Sequence, residues 1–381
     1  MYGLYNFGVM IHDEIRTNSF HQALKECIDS NSIVLDIGCG TGIFSLMASK
    51  LGAKHVYALE PQENAFEVAK KVVEKNCPKK NITIIRDLST NITLDELADV
   101  IVADVHGSLP YYNGSVATLI DARDRLLKPG GVMMPERDVV SASVVNFPKA
   151  YRELSDPWGS DVYGFDFSDH RDMVVNELRR ANFSETNLLS DCVECVDLDY
   201  KTINSTHMQS SIKLHIEKDG VAHGLGLWFD CHLNQHIKIS NSPEREPLVY
   251  GQAFLPFERA MDLERGAEVK VDFKCNSVGG NYLWSWSTHI RDLAGNTTEF
   301  DQSTFKAEPN LNLKSLRKLA ENYCPALSGR GKVIRSVMAK MNGEASLDKI
   351  AIEILAEHSE DVKSYGEAME LVRQLSQEHS V

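Results

Sequence analysis

Between residues 18 and 135 short apolar runs recur at 33–37, 56–60, 82–85, 100–102 and 131–134, each separated by a stretch with helical spacing. That alternation predicts a parallel sheet with crossover helices. From about Val139 to Thr297 the pattern changes to a period of two, clearest at 212–216, 224–231 and 269–273, with turn clusters between the runs. Period two with frequent turns predicts antiparallel sheet, barrel-like in arrangement. Residues 312–381 are rich in Leu, Ala, Glu and Lys at helical spacing, their acids and bases roughly balanced, and Pro309 stands near the change. A small appended helical domain is expected there. The predicted organisation is therefore an α/β domain over 1–137, an antiparallel β-barrel domain over 138–305 and a helical domain over 306–381.

Bulk properties narrow the function. With 381 residues, 43% of them hydrophobic and 25% charged, the chain can bury a large core. A net charge of −14 supplies no positive field for a phosphate backbone, so nucleic acid is a disfavoured partner. The segment opening Met1, Tyr2, Gly3, Leu4 lacks a basic stretch followed by an apolar core. Nor does any apolar run approach the ~20 residues that cross a bilayer. A cytoplasmic protein is expected, with no membrane contact. Its eight cysteines include one isolated C-x-x-C, Cys192 and Cys195, with no second pair to complete a zinc set, so reduced thiols and no metal are expected.

The chemistry begins where Val34-Leu35-Asp36 runs into Gly38-Cys39-Gly40-Thr41-Gly42 and then a helix from about Phe44. Glycines let the backbone turn sharply and approach a ligand lying across a helix N-terminus. A nicotinamide fingerprint would need its third glycine at Ile43, so the spacing is G-x-G-x-G and not G-x-G-x-x-G. Asp36, directly before the loop, is suited to accept a hydrogen bond from the ammonium of a methionine moiety. Glu60 closes the second strand, where two carboxylate oxygens can take two ribose hydroxyls. Together Asp36, Gly38, Gly40 and Glu60 point to S-adenosyl-L-methionine (SAM) as cofactor.

Residues 34–61 resemble the SAM-binding segment of the protein arginine methyltransferases, and the similarity runs on to about residue 300. Met10-Ile11-His12-Asp13-Glu14-Ile15-Arg16-Thr17 is similar to the family's N-terminal helix. The resemblance implies that Met10 lies near the reacting centre and that Arg16 clamps the SAM carboxylate, a bidentate pairing that fixes two atoms. Residues 122–131 resemble the helix and turn before the fifth strand, and Pro135-Glu136-Arg137 the crossing into the barrel. Trp158 with residues 162–168 is similar to the segment following the dimerisation arm, while 224–230 and 242–244 resemble barrel strands. The fold implied by the resemblance is a Rossmann-like SAM-dependent methyltransferase domain, then a β-barrel, with the active site between them and a homodimer as the assembly. Asp87 is expected on the adenine side.

The acceptor clamp departs from the family pattern. There, a hairpin after the fourth strand carries two glutamates that grip a guanidinium; here Asp104 and Asn113 stand at those places. A guanidinium presents five donors and stays charged, so an aspartate plus a neutral amide cannot match the field of two glutamates. The family's threonine-histidine-tryptophan loop falls at Leu248-Val249-Tyr250, without the histidine. Two acceptor classes stay open: an arginine gripped by Asp104 and the Asn113 carbonyl, or another nitrogen or oxygen nucleophile of a peptide, protein or small molecule. His106 is the candidate base if the nucleophile must lose a proton, against a structural histidine as the plainer reading. Tyr111 and Tyr112 could wall the pocket or simply pack. A non-catalytic scaffold that binds SAM or a peptide is the competing class.

Trp284 and Trp286 alternate along a strand, which favours packing over a ligand cage. In the tail, helices are expected over 333–341, 347–358 and 365–377. Their pattern weakly resembles the PqqD-like modules that bind leader peptides, which would make the tail a peptide recruiter; structural or dimer-stabilising helices are the alternative. Helix 347–358 carries Asp348, Glu353 and Glu357 against Lys349, unlike a DNA-reading helix.

Overall fold

The computed structural model describes residues 3–159, 161–307 and 322–380, with 314, 317, 318 and 320 between the last two stretches. It forms two compact units, Met1–Leu311 and Asn312–Val381. The boundary expected near Pro309 lies outside the described residues.

The first unit opens with helices α1 (Leu4–His12) and α2 (Glu14–Cys27). Asp13 caps α2 by accepting from the Arg16 backbone N–H at 3.0 Å. The buried residues of α2, Arg16, Thr17, Phe20, Ala23 and Leu24, recur every three to four positions, so one face packs inward. Next come β1 (Ile33–Ile37), α3 (Ile43–Leu51), β2 (His55–Leu59), α4 (Glu63–Asn76), β3 (Ile82–Ile85), β4 (Ala98–Val102), α5 (Ser115–Leu126) and β5 (Leu127–Met134). The strands pair in parallel in the order β3-β2-β1-β4-β5. Central β1 is buried along its whole length, which is why its sequence is apolar apart from Asp36. Strand order reverses beside β1, so the crevice at the carboxyl ends of β1 and β4 is the expected place for a ligand. The fifth strand starts at Leu127 and not at Gly131, because its register to β4 shifts where Pro129-Gly130-Gly131 interrupt the apolar pattern.

The antiparallel region comprises β6 (Arg137–Val145), β7 (Arg179–Ala181), β8 (Val193–Asp199), β9 (Met208–His215), β10 (Gly220–His232), β11 (Lys238–Ser240), β12 (Gln252–Leu263), β13 (Glu268–Val278), β14 (Asn281–Arg291) and β15 (Thr297–Ser303). It is built as two sheets, β7-β12-β10-β6-β8 with β11 on β10, and β15-β14-β13-β9. Both contribute to one core that is continuous with the core of the parallel sheet. Strand β10 is buried on both faces, against a simple period of two. Leu225, Leu227 and Phe229 join the main core, while Trp228 on the opposite face packs with Tyr151, Phe183 and Phe254. Trp284 and Trp286 are core residues, and Trp286 Nε1 donates to Gln302 Oε1 at 3.1 Å.

The second unit contains helices Gly329–Lys340, Leu347–Glu357 and Tyr365–His379, capped by Ser328, Ser346 and Ser364. Val333, Val337, Ile350, Ile354, Val372 and Leu375 form its core. No described helix is long and apolar enough to cross a membrane.

Candidate active site

The loop after β1 has the backbone its glycines permit. Gly38, Gly40 and Gly42 have φ of 71°, 56° and 85°, left-handed values that side chains resist. A Cβ at Gly40 would also lie 2.8 Å from the Phe7 ring, so α1 covers the loop closely. Beneath Phe7 a cavity of about 550 Å³ runs from Glu60 and Asp87 at one end to Asp104, Tyr112 and Asn113 at the other. Met10, Arg16, Gly38, Gly40 and His106 line it as well.

Glu60 follows β2 and accepts from the Gly40 N–H at 2.9 Å and the Gln62 N–H at 2.8 Å. Each oxygen keeps a lone pair for a further donor. Burial raises the Glu60 pKa above the ordinary carboxylate value, opposed by those two backbone donors. Asp87 accepts from the Leu88 N–H and from Asn91 Nδ2, at 2.7 and 2.8 Å. Asp36 is placed differently from its expected contact with an ammonium. It is 1% exposed, lies outside the cavity lining, and accepts from Ser45 Oγ at 2.5 Å. Burial pushes its pKa up to about 7, despite the Ser45 hydrogen bonds.

At the other end, the segment from Ala103 to Gly114 is an irregular loop and not a paired hairpin. Pro110 has no N–H to contribute to a ladder, and Asn113 and Gly114 are left-handed, with φ of 44° and 70°. Asn113 is exposed on the cavity wall, whereas Tyr111 is buried against Tyr282 and Trp284.

Asp104 is the centre of a buried polar chain. Its Oδ2 accepts from Arg16 Nε at 2.5 Å and from Tyr250 Oη at 2.8 Å, and the Arg16 Nη2 also contacts it. Arg16 also donates to the Met10 carbonyl at 3.2 Å, so the residues expected around the methionine end of SAM stand together. Asp104 Oδ1 faces His106 Nδ1 at 3.1 Å. His106 Nε2 faces Asp138 Oδ2 at 2.7 Å, and Tyr200 Oη donates to that same oxygen at 2.5 Å. The His106 ring stacks on Phe229, with centroids 4.9 Å apart.

Burial alone would raise the Asp104 pKa, but the Arg16 charge overrides it and holds the carboxyl well below the usual range. Burial would likewise lower His106, and the Asp138 carboxylate overrides that, raising the imidazole well above its ordinary value. A carboxylate faces each ring nitrogen, which favours the protonated ring. The expectation that His106 could serve as a base does not fit this geometry, because neither nitrogen offers a free lone pair. His106, Asp138 and Cys231 bring possible ligand atoms within 4.8 Å of one another. The 2.7 Å separation of His106 Nε2 and Asp138 Oδ2 is a hydrogen-bond distance. Two ligands of a tetrahedral zinc, each ~2.0 Å from the ion, would stand roughly 3.3 Å apart.

Sequence reasoning missed Asp138, Tyr200, Ser45 and Phe7. The one local signal was the charge of Asp138 just before the apolar run 139–140; nothing along the chain marked its pairing with a histidine 32 positions away.

Comparisons with known proteins bear on the family and the fold. Residues 7–135 match the family model described as ribosomal protein L11 methyltransferase (PrmA), and residues 140–282 match the arginine methyltransferase oligomerization subdomain. The chain is 29% identical over 283 residues to protein arginine N-methyltransferase 1 of Schizosaccharomyces pombe, covering 72% of this chain and 82% of that one. It is 28% identical to the protein of the same name from Dictyostelium discoideum, covering 71% and 82%. Among solved structures, the Trypanosoma brucei PRMT1 enzyme-prozyme heterotetrameric complex with AdoHcy superposes with a TM-score of 0.71 at 24% identity, over 80% of this chain and 98% of that one. Arabidopsis thaliana protein arginine methyltransferase 10 gives 0.68 at 20% identity, over 79% and 97%. At these identities the structural likeness speaks to the fold.

Proposed function

Because the chain belongs to the protein arginine methyltransferase-like family of SAM-dependent methyltransferases, we propose that it methylates a side chain of a protein or peptide in the cavity between the glycine loop and the Asp104 loop. The observation that carries this reading is that one cavity holds the Gly40–Glu60 pair at one end and the Arg16–Asp104 pair at the other. In this reading Gly38 and Gly40 admit the adenosyl group, Glu60 takes the ribose hydroxyls, Asp87 borders the adenine and Arg16 holds the amino-acid carboxylate. Asp36 acts from below, holding Ser45 at the start of α3. Met10, Asp104 and Asn113 border the acceptor, and His106 fixes Asp104. SAM supplies an electrophilic methyl on sulfur; the protein aligns the attacking atom with the carbon–sulfur bond and excludes water.

Purified protein incubated with methyl-labelled SAM and a cell extract is expected to label protein. The Gly40→Arg variant, which fills the loop, should transfer none while keeping its native tryptophan fluorescence. SAM binding with no label in any protein would overturn the reading. We further assign a homodimer, supported by the match of residues 140–282 to the oligomerization subdomain and by the exposed Tyr163 and Phe165. Light scattering should return twice the 42.6 kDa chain mass; the single-chain mass would contradict it.

A further inference from the structure

The acceptor side of the cavity is unusual in its charge. Among the described lining residues the acids are Glu60, Asp87 and Asp104, and the first two stand at the adenosyl end. Asp104 is already engaged: Arg16 and Tyr250 donate to Oδ2, and His106 donates to Oδ1. A carboxylate offers about four lone-pair sites, so little capacity remains for a guanidinium with five donors. Two cations, Arg16 and His106, flank that single acid, and the second counter-charge, Asp138, is fully buried behind His106. Asn113 is uncharged. A cationic acceptor would thus meet positive groups on a carboxylate that is already neutralised.

We infer, resting on the proposed function, that the acceptor is the neutral imidazole of a histidine side chain, selected because the Asp138–His106 pair occupies the face of Asp104 that a guanidinium would need. Other side chains fit this wall less well. Amines are protonated and bring the same charge problem as guanidinium. Hydroxyls need a base, and neither His106 nor the neutralised Asp104 can serve as one. A carboxylate would need a cation, and the donors left on Arg16 are those assigned to the SAM carboxylate. A neutral imidazole attacks with a lone pair it already has, and its other nitrogen can donate to the Asn113 amide oxygen.

The step balances without a base. The imidazole lone pair forms the new N–CH3 bond as the S–CH3 bond breaks, and the bonding pair returns to sulfur, giving S-adenosylhomocysteine. The product is an N-methylimidazolium that keeps its other N–H, and that proton passes to water after release. In this arrangement His106 and Asp138 are positioning and specificity residues, since they act on the acceptor through Asp104.

The test uses the full chain, methyl-labelled SAM and two peptide pools with degenerate flanks, one with a central histidine and one with a central arginine, followed by acid hydrolysis and amino-acid analysis. Label is expected in methylhistidine, at least tenfold above methylarginine, with a rate that rises through the ordinary imidazole pKa of about 6.5 and then levels. The exposed variant Asn113→Asp tolerates the left-handed backbone and adds a carboxylate that Arg16 and His106 do not touch. It should shift the ratio toward arginine by tenfold or more. His106→Leu/Asp138→Val, which frees Asp104 Oδ1, should shift it the same way. Predominant methylarginine from the unaltered protein, or base-labile methyl ester, would overturn the inference and leave the proposed function standing. A cell extract with no labelled protein would defeat the proposed function itself.

Discussion

Removing one carboxylate, with Asp138→Ala, should expose how the buried chain is held. In the wild type Asp138 is 0% exposed and accepts from His106 at 2.7 Å and from Tyr200 at 2.5 Å. Breaking a buried ion pair by deleting one partner costs about 3–5 kcal/mol, and orphaning a buried hydroxyl about 1–3 kcal/mol more. Loss of the His106 proton offsets part of the ion-pair cost, so about 3–5 kcal/mol in all is expected at pH 7. The pH dependence is more specific. The folded-state pKa of His106 is raised, so its contribution is complete below the unfolded value of about 6.5 and is lost as pH climbs through the folded value. Within that window the wild type should lose about 1.4 kcal/mol per pH unit through this one group. Asp138→Ala should flatten the slope. The assay is urea unfolding followed by tryptophan fluorescence, because Trp158, Trp228, Trp284 and Trp286 all lie in the first unit and report it alone. His106→Leu/Asp138→Val should recover the ion-pair part of the loss and leave the Tyr200 hydroxyl part, since apolar residues can replace a buried pair at little cost. A cost under about 1 kcal/mol, with a pH slope like that of the wild type, would mean that His106 is neutral and the charge argument fails.

Three further outcomes rest on the same geometry. Glu60→Ala should weaken S-adenosylhomocysteine binding at least tenfold by calorimetry, since each hydrogen bond to a charged group is worth about 1.5–3 kcal/mol; unchanged affinity would remove Glu60 from the ribose. Tyr250→Phe deletes a hydroxyl that bridges Arg16 and Asp104 at 3.1 and 2.8 Å, and should cost about 1 kcal/mol in urea without changing the cofactor stoichiometry. Asp36→Asn should gain stability relative to wild type between about pH 4 and the Asp36 pKa of about 7, because a raised carboxyl gives its stabilisation below the unfolded value and loses it as pH rises through the folded one. A constant difference across that range would show that Asp36 is not the buried titrating group.

The sequence carried the parallel sheet because β1 and its neighbours are buried strands written as unbroken apolar runs. The glycine loop was equally legible: glycines in left-handed conformations and a closing acid are local features that keep their spacing in the chain. Strand β10 was harder to read, since its second face is covered by Tyr151 and Phe183, residues distant in sequence. The loop after β4 was legible only as a departure from the family pattern, with Asp104 and Asn113 at the expected clamp places. Its actual logic, a histidine held between two acids, joins the loop after β4 to strand β6, and long-range pairing of that kind leaves no period behind. Asp36 was expected against the ligand, whereas its carboxylate bonds Ser45 on α3 and does not line the cavity.

The most direct test of the whole account is a crystal structure with S-adenosylhomocysteine bound. The prediction is a ribose with both hydroxyls on the Glu60 carboxylate, an amino-acid carboxylate on Arg16, and Asp104 still joined to His106. A ligand seated away from the glycine loop, or Asp104 swung free of His106 toward the acceptor opening, would contradict it.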